Sequence, residues 1–223
     1  MEKKRKLGLF GFLDLLANCA GLNLLFLLCS IPLITFGASL TSLYAGMRAL
    51  AKREPCFIAF FKTFRKSFLR ATVLWLILLP VNAATIFGTY SIWYYQPEGY
   101  LPKLILSLLF SVVFLAITTM VFLFYSRFEG TVVQLLRFGG TMFLSHPIRG
   151  LVITLGLWLP ALILVFFPMT FLFFGMVWLF LYFAGIAFVS VWLINFPFIR
   201  FARDVLGMDV SSVSPPDEEK ANP

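Results

Sequence analysis

The sequence predicts an all-α, integral membrane helical bundle of about five transmembrane helices, with cytoplasmic amphipathic helices between them. Three observations carry that expectation. Gly150–Ile199 runs fifty residues without one Asp, Glu, Lys or Arg, whereas about 20 apolar residues cross a hydrocarbon core of about 30 Å. The chain is 61% hydrophobic and 13% charged, against about 25% charged in soluble domains. Its other charge-free runs are apolar all round, unlike the short segments of alternating polarity that build a membrane barrel.

The first charge-free run, Leu15–Met47, is interrupted by Pro32 and Gly37, so the first span is placed at Leu13–Phe36. Leu7–Leu50 has 44 residues, enough for two short spans meeting near Ser30-Ile31-Pro32. That arrangement puts Asp14 and Asn18 inside an apolar segment, where a carboxylate is costly. The second span is expected at Thr72–Trp93 and the third at Leu104–Tyr125. The opening fifty-residue run, broken near its middle by Pro168, supplies the fourth at Leu151–Phe167 and the fifth at Thr170–Ile194. Residues 1–209 form one membrane domain. Residues 210–223, rich in Pro, Ser and acid, read as a disordered tail.

Charge orients these spans. Arg48, Lys52, Arg53, Lys62, Arg65, Lys66 and Arg70 fall between spans one and two, with Glu54 alone opposing them. Arg127, Arg137 and Arg149 follow span three, against Glu129, and Arg200 and Arg203 follow span five. By the positive-inside rule these regions and the C-terminus are cytoplasmic in a cell membrane. The aromatic segment Trp93-Tyr94-Tyr95 suits the opposite interface. Lys3-Lys4-Arg5-Lys6 dissents: five spans put it outside. The net charge of +8 is read as attraction to anionic lipid headgroups, not to nucleic acid.

In the first basic loop, Phe57, Phe60, Phe61, Phe64 and Phe68 recur at helical spacing, with Lys62, Arg65, Lys66 and Arg70 on the remaining faces. Such a helix is expected in the membrane interface or against a partner. Phe128–Phe143 repeats the idea more weakly. Arg70 precedes an apolar helix that meets Pro80, and Arg149 one that meets Pro160, a hint of two similar loop-and-hairpin units. Within the spans Asn82, Thr85 and Thr89 share one face. They suit interhelical hydrogen bonding, or a solute path in an alternative reading.

Signatures of chemistry are missing. His146 is the single histidine and has no companion ligands, Gly139-Gly140 is an isolated pair, and Cys19, Cys29 and Cys56 form neither a CxxC nor a paired framework. No catalytic, cofactor-binding or metal residues are assigned, no cofactor is expected, and the chain is read as not an enzyme.

The stretch Asn23-Leu24-Leu25-Phe26-Leu27-Leu28-Cys29-Ser30-Ile31-Pro32-Leu33-Ile34-Thr35-Phe36-Gly37, continuing to Leu43-Tyr44, resembles the signature of the YesL-like family of bacterial membrane proteins, a domain of unknown function numbered 624. Phe60–Phe68 and Ala71–Trp75 resemble its next block. The resemblance implies a small multi-spanning protein, often encoded beside carbohydrate uptake or glycan-degradation genes, with no catalytic residues to carry over. Asn23, Pro32, Thr35 and Gly37 are expected to matter structurally: Pro32 ends a helix, Gly37 permits close packing, and Thr35 satisfies freed carbonyls. The expected function is a non-enzymatic accessory or regulatory protein of carbohydrate uptake or utilisation, partnered by a transporter or sensor. The alternative is a small-solute transporter or channel subunit.

Overall fold

The computed structural model describes residues 9–128, 130–166, 169, 175 and 181–206. Among these residues the architecture is all-α, without strands. The helices are α1 (Leu9–Ser30), α2 (Phe36–Ala51), α3 (Cys56–Tyr95), α4 (Tyr100–Tyr125), α5 (Val132–Ser145), α6 (Pro147–Phe166) and α7 (Phe183–Leu206).

The expected single span Leu13–Phe36 is two elements. Helix α1 stops at Ser30, and a short 3-10 turn, Leu33–Thr35, leads into α2. Pro32 has no N–H to continue the helix and restricts the residue before it. The Thr35 hydroxyl lies 2.6 Å from the carbonyl oxygen of Cys29 and 2.8 Å from that of Pro32, within donor reach of both acceptors that the break exposes. Trp75 Nε1 donates to the carbonyl of Leu33 at 2.8 Å and pins the turn to α3.

Helix α2 then runs back along α1. The rings of Phe26 and Phe36 are 5.9 Å apart near the turn. Gly46 sits against Leu22, and Cys56 Sγ reaches Asn18 Oδ1 at 3.5 Å farther along. The pair is an antiparallel hairpin with Ile31–Ile34 at its tip, so the early part of α1 and Arg48 lie at one end. This is the geometry of two short helices meeting near Pro32. At 16 residues, about 24 Å, α2 is shorter than a bilayer core. It is buried almost throughout from Gly37 to Ala49, because small residues (Gly37, Ala38, Ser39, Ala45, Gly46) let neighbouring helices close around it.

Helix α3 joins two segments that the sequence separates. Its 40 residues extend about 60 Å without a break, so the amphipathic stretch Phe57–Arg70 and the span Thr72–Trp93 are one rod. Nothing between Arg70 and Thr72 stops a helix, and Pro80 lies within it. Helices α3 and α4 form a hairpin whose outer sides expose Val73, Ile77, Phe87, Ile105 and Leu109, an apolar belt of the kind lipid covers.

The second loop-and-span unit behaves differently. Helix α5 opens with a capping box, in which Gln134 N–H donates to Thr131 Oγ1 at 3.4 Å and Thr131 N–H to Gln134 Oε1 at 3.0 Å. It ends at Ser145, and α6 departs at 109°. Pro147 causes this corner: it occupies the first position of α6, where its missing N–H costs nothing, and it prevents α5 from continuing.

Among the described residues three helices are long and apolar enough to cross a membrane: Leu13–Ser30, Cys56–Tyr95 and Tyr100–Tyr125. The bent pair Val132–Ser145 and Pro147–Pro160 brings the number to four if it is one span. The chain is thus a membrane-embedded bundle. In α7 only Phe183–Ile194 is a described apolar stretch. The expected turn at Pro168, the start of the fifth span, Lys3–Lys6 and the tail 210–223 lie outside the described residues.

Candidate functional site

Where α2, the first half of α3 and the end of α4 converge, a cavity of about 600 Å³ opens. Its lining includes Arg48, Lys52, Lys62, Lys66, Arg70 and Arg127, and among the described residues Glu54 is the single acid there. Ser67, Tyr125, Ser126 and the half-buried Arg48, Arg127 and Phe128 form the floor, while Lys52, Glu54, Lys62, Lys66 and Arg70 stand exposed around the rim.

Each wall is set by local structure. Lys62, Lys66 and Arg70 recur at intervals of four along α3 and so occupy one stripe. Ser67, one position on, turns toward the floor, and its hydroxyl donates to the Thr63 carbonyl at 2.7 Å. The α2 end is shaped by a Schellman motif: Glu54 N–H donates to the Ala49 carbonyl at 2.8 Å and Arg53 N–H to that of Leu50 at 3.0 Å. Arg53 occupies the left-handed position of that motif at φ 61°, where glycine is favoured. The turn brings Lys52 and Glu54 to the rim.

Arg48 crosses the floor. Its Nη1 donates to Ser126 Oγ at 3.4 Å and its Nη2 to the Ser126 backbone carbonyl, while Arg127 Nη2 donates to the Val191 carbonyl of α7 at 3.3 Å. Burial pushes Arg48 down to about 10, with Glu54 partly offsetting the shift. Burial and the like charge of Arg48 push Arg127 down to about 9. Both remain cationic at neutral pH. The floor therefore holds two guanidinium groups close enough to disfavour one another.

The phenylalanine stripe divides. Phe60 is fully buried and belongs to the core, which corrects its expected place at a membrane or partner surface. Phe64 is half-buried, its ring 6.2 Å from Phe60. Phe57, Phe61 and Phe68 remain exposed. The reason is α2, which packs along this half of α3 and takes the middle of the stripe inward. Arg65 is exposed on α3 but does not line the cavity.

The other expected residues serve packing. Asn23 is fully buried, and its Oδ1 accepts the Ala184 N–H at 2.8 Å. A Cβ on Gly37 would lie 2.8 Å from the Ala71 carbonyl oxygen and 2.8 Å from the Phe122 ring, so glycine there lets α2 reach α3 and α4. Asn82 Nδ2 donates to Thr118 Oγ1 at 2.8 Å. The Thr85 hydroxyl donates to the Asn82 carbonyl at 2.9 Å. Thr89 Oγ1 lies 2.7 Å from Ser107 Oγ and 3.0 Å from Ser111 Oγ. The intramembrane polar face is thus a hydrogen-bonded seam between α3 and α4.

Sequence reasoning treated Arg48 and Arg127 as ordinary loop cations and overlooked Ser67, Tyr125 and Ser126. The available signal was the position of Arg48 inside the apolar Leu40–Ala51 run. Among the described residues no group of His, Cys, Asp or Glu has the arrangement of a metal site.

Residues 19–89 match the family described as a protein of unknown function, DUF624. This is the family that the Asn23–Gly37 block resembles, and the match covers that block and the next, Phe60–Phe68 with Ala71–Trp75. The match takes in α2 and five of the six groove cations; Arg127 lies beyond it. No curated protein and no solved structure matches the chain.

Proposed function

We propose that this chain, DUF624 over residues 19–89, is a non-enzymatic accessory or regulatory membrane protein that works through its basic groove. The observation that carries the reading is the convergence, among the described residues, of six cations against one carboxylate in a single cavity, gathered from three helices. Like charges held together repel, and an anionic group that neutralises them gains affinity and orientation from the same field. The loops that the positive-inside rule assigns to the cytoplasm meet at this groove, which supports a cytoplasmic working face. A role beside a transporter or sensor of carbohydrate uptake follows from the family resemblance. Against the transport alternative, Asn82 Nδ2 and the Thr89 hydroxyl are engaged with Thr118, Ser107 and Ser111 of the neighbouring helix.

Affinity purification from mild detergent, under conditions that induce carbohydrate uptake, tests the reading. A defined membrane partner should be recovered with the wild-type chain and lost with Lys62→Glu and Lys66→Glu together. Recovery of the chain alone under every inducing condition, or a partner indifferent to these changes, overturns it.

A further inference from the structure

We infer that the groove is a binding site for a phosphoryl group, borne either by a lipid headgroup or by a small soluble phosphate ester. The inference rests on the reading of the groove as the working surface and names the chemistry that the surface takes.

The arrangement of donors supports it. A phosphate monoester carries close to two negative charges at neutral pH and three strong acceptor oxygens. The floor offers the guanidinium groups of Arg48 and Arg127 from different helices, and planar donor forks suit phosphate oxygens. Above them Lys62, Lys66 and Arg70 form one stripe on α3, cations on flexible stems that can close over an anion from one side. The hydroxyls of Ser67 and Ser126 already donate to the Thr63 and Leu123 carbonyls, each at 2.7 Å, so the cations are the donors that face the anion. Glu54 at the rim faces the α2 end, away from the lysine stripe in sequence, and opposes only part of this charge.

Energetics point the same way. Arg48 and Arg127 are half-buried cations that both line the cavity; burial lowers the proton affinity of each, and the charge of Arg48 adds to the lowering at Arg127. An oxyanion between them replaces that repulsion with two attractions, in surroundings less screened than open water. The volume, about 600 Å³, lies within the range of small-ligand sites and exceeds what a bare phosphate fills. The remaining space accommodates the organic part of an ester or the glycerol end of a lipid. Phe128 and Leu69 also line the cavity and offer apolar surface to that part.

The test uses the purified full chain with inorganic phosphate as the soluble probe and phosphatidic acid as the lipid probe, without a protein partner. Phosphate is titrated by calorimetry against chain in neutral detergent, and lipid retention is read by native mass spectrometry from nanodiscs of phosphatidylcholine doped with phosphatidic acid. Saturable phosphate binding, weakened about tenfold or more by Lys62→Gln with Lys66→Gln and unchanged by Arg65→Gln, supports the site with a soluble ligand. No phosphate binding, but selective retention of phosphatidic acid that the same double variant abolishes, supports it with a lipid headgroup. Neither signal, or binding that Arg65→Gln weakens as much as the double variant, overturns the inference. These lysines are exposed, so folding is kept; Arg48→Gln is a further variant, checked for folding by its thermal transition. Anion binding without a recoverable partner sinks the accessory reading alone. A charge-dependent partner without anion binding sinks this inference alone.

Discussion

Asn23 Oδ1 accepts the backbone N–H of Ala184 at 2.8 Å, a bond across 161 residues that joins α1 to α7 inside the bundle. Both ends of the chain's helical core meet through one amide. Removing the acceptor leaves a buried N–H without its partner, which costs about 1–3 kcal/mol. Asn23→Ala should lower the stability of the purified protein by that amount, measured by chemical unfolding in detergent. A change within error would mean that Ala184 finds another acceptor.

Gly139 and Gly140 are neighbours with different jobs. A Cβ on Gly139 would lie 2.4 Å from Val121 Cγ2 and 2.7 Å from Val121 Cα, whereas nothing lies within 4 Å of one on Gly140. Gly139→Ala must therefore push α5 off α4, a strain of about 1–3 kcal/mol or more. Gly140→Ala should be neutral or stabilising by up to about 1 kcal/mol through helix propensity. Thermal unfolding of the two variants side by side checks the contrast, and equal shifts would contradict the close contact.

The seam between α3 and α4 predicts a coupling. Asn82 and Thr118 bond directly at 2.8 Å, and such pairs in membrane helices average about 0.6 kcal/mol. A double-mutant cycle of Asn82→Ala and Thr118→Val should return a favourable coupling of that order. If the two substitutions were additive, the seam would not hold these helices together and the face would be free for another use.

The groove cations give phosphate binding a definite pH profile. Phosphate gains its second charge near about pH 6, so affinity should rise through that range. Arg127, held at about 9 by burial and by Arg48, then loses its charge before Arg48, which is held at about 10 with Glu54 beside it. Affinity should fall above about pH 9, displaced somewhat upward because the bound anion favours both cations. Lys52, Lys62, Lys66 and Arg70 remain at the rim. Stability without ligand has the opposite sign: the folded Arg127 holds its proton only to about 9, well below the unfolded guanidinium. Between those values the unfolded state binds more protons, so the Arg127 contribution favours folding increasingly as pH rises. Phosphate titrations at stepped pH check the profile; affinity that stays flat through about pH 10 would remove Arg127 from the site.

Much of this architecture was legible in one dimension. Long apolar runs announce helices in a membrane, since a bilayer leaves the backbone no other local way to satisfy its hydrogen bonds. Pro32 marked the first sharp break, because a missing N–H acts wherever the chain goes. Thr35 was readable for the same reason, since its hydroxyl lies against the carbonyls of Cys29 and Pro32 in the immediate turn, whereas the contacts of Asn23 and Gly37 lie on distant helices.

Composition and local stereochemistry thus determined the helical class, the membrane as solvent and the basic surplus. Tertiary structure alone decided where those features meet. Periodicity gave α3 an aromatic stripe and a basic stripe, but only the return of α2 along it turned Phe60 inward. Likewise, Arg48 and Arg127 are 79 positions apart, and no local signal pairs them. They share a floor because small residues in α2 let it pass close between α1, α3 and α4, bringing its last turn to the end of α4. Burial and like charge then change what these arginines can bind, and both depend on neighbours that folding supplies.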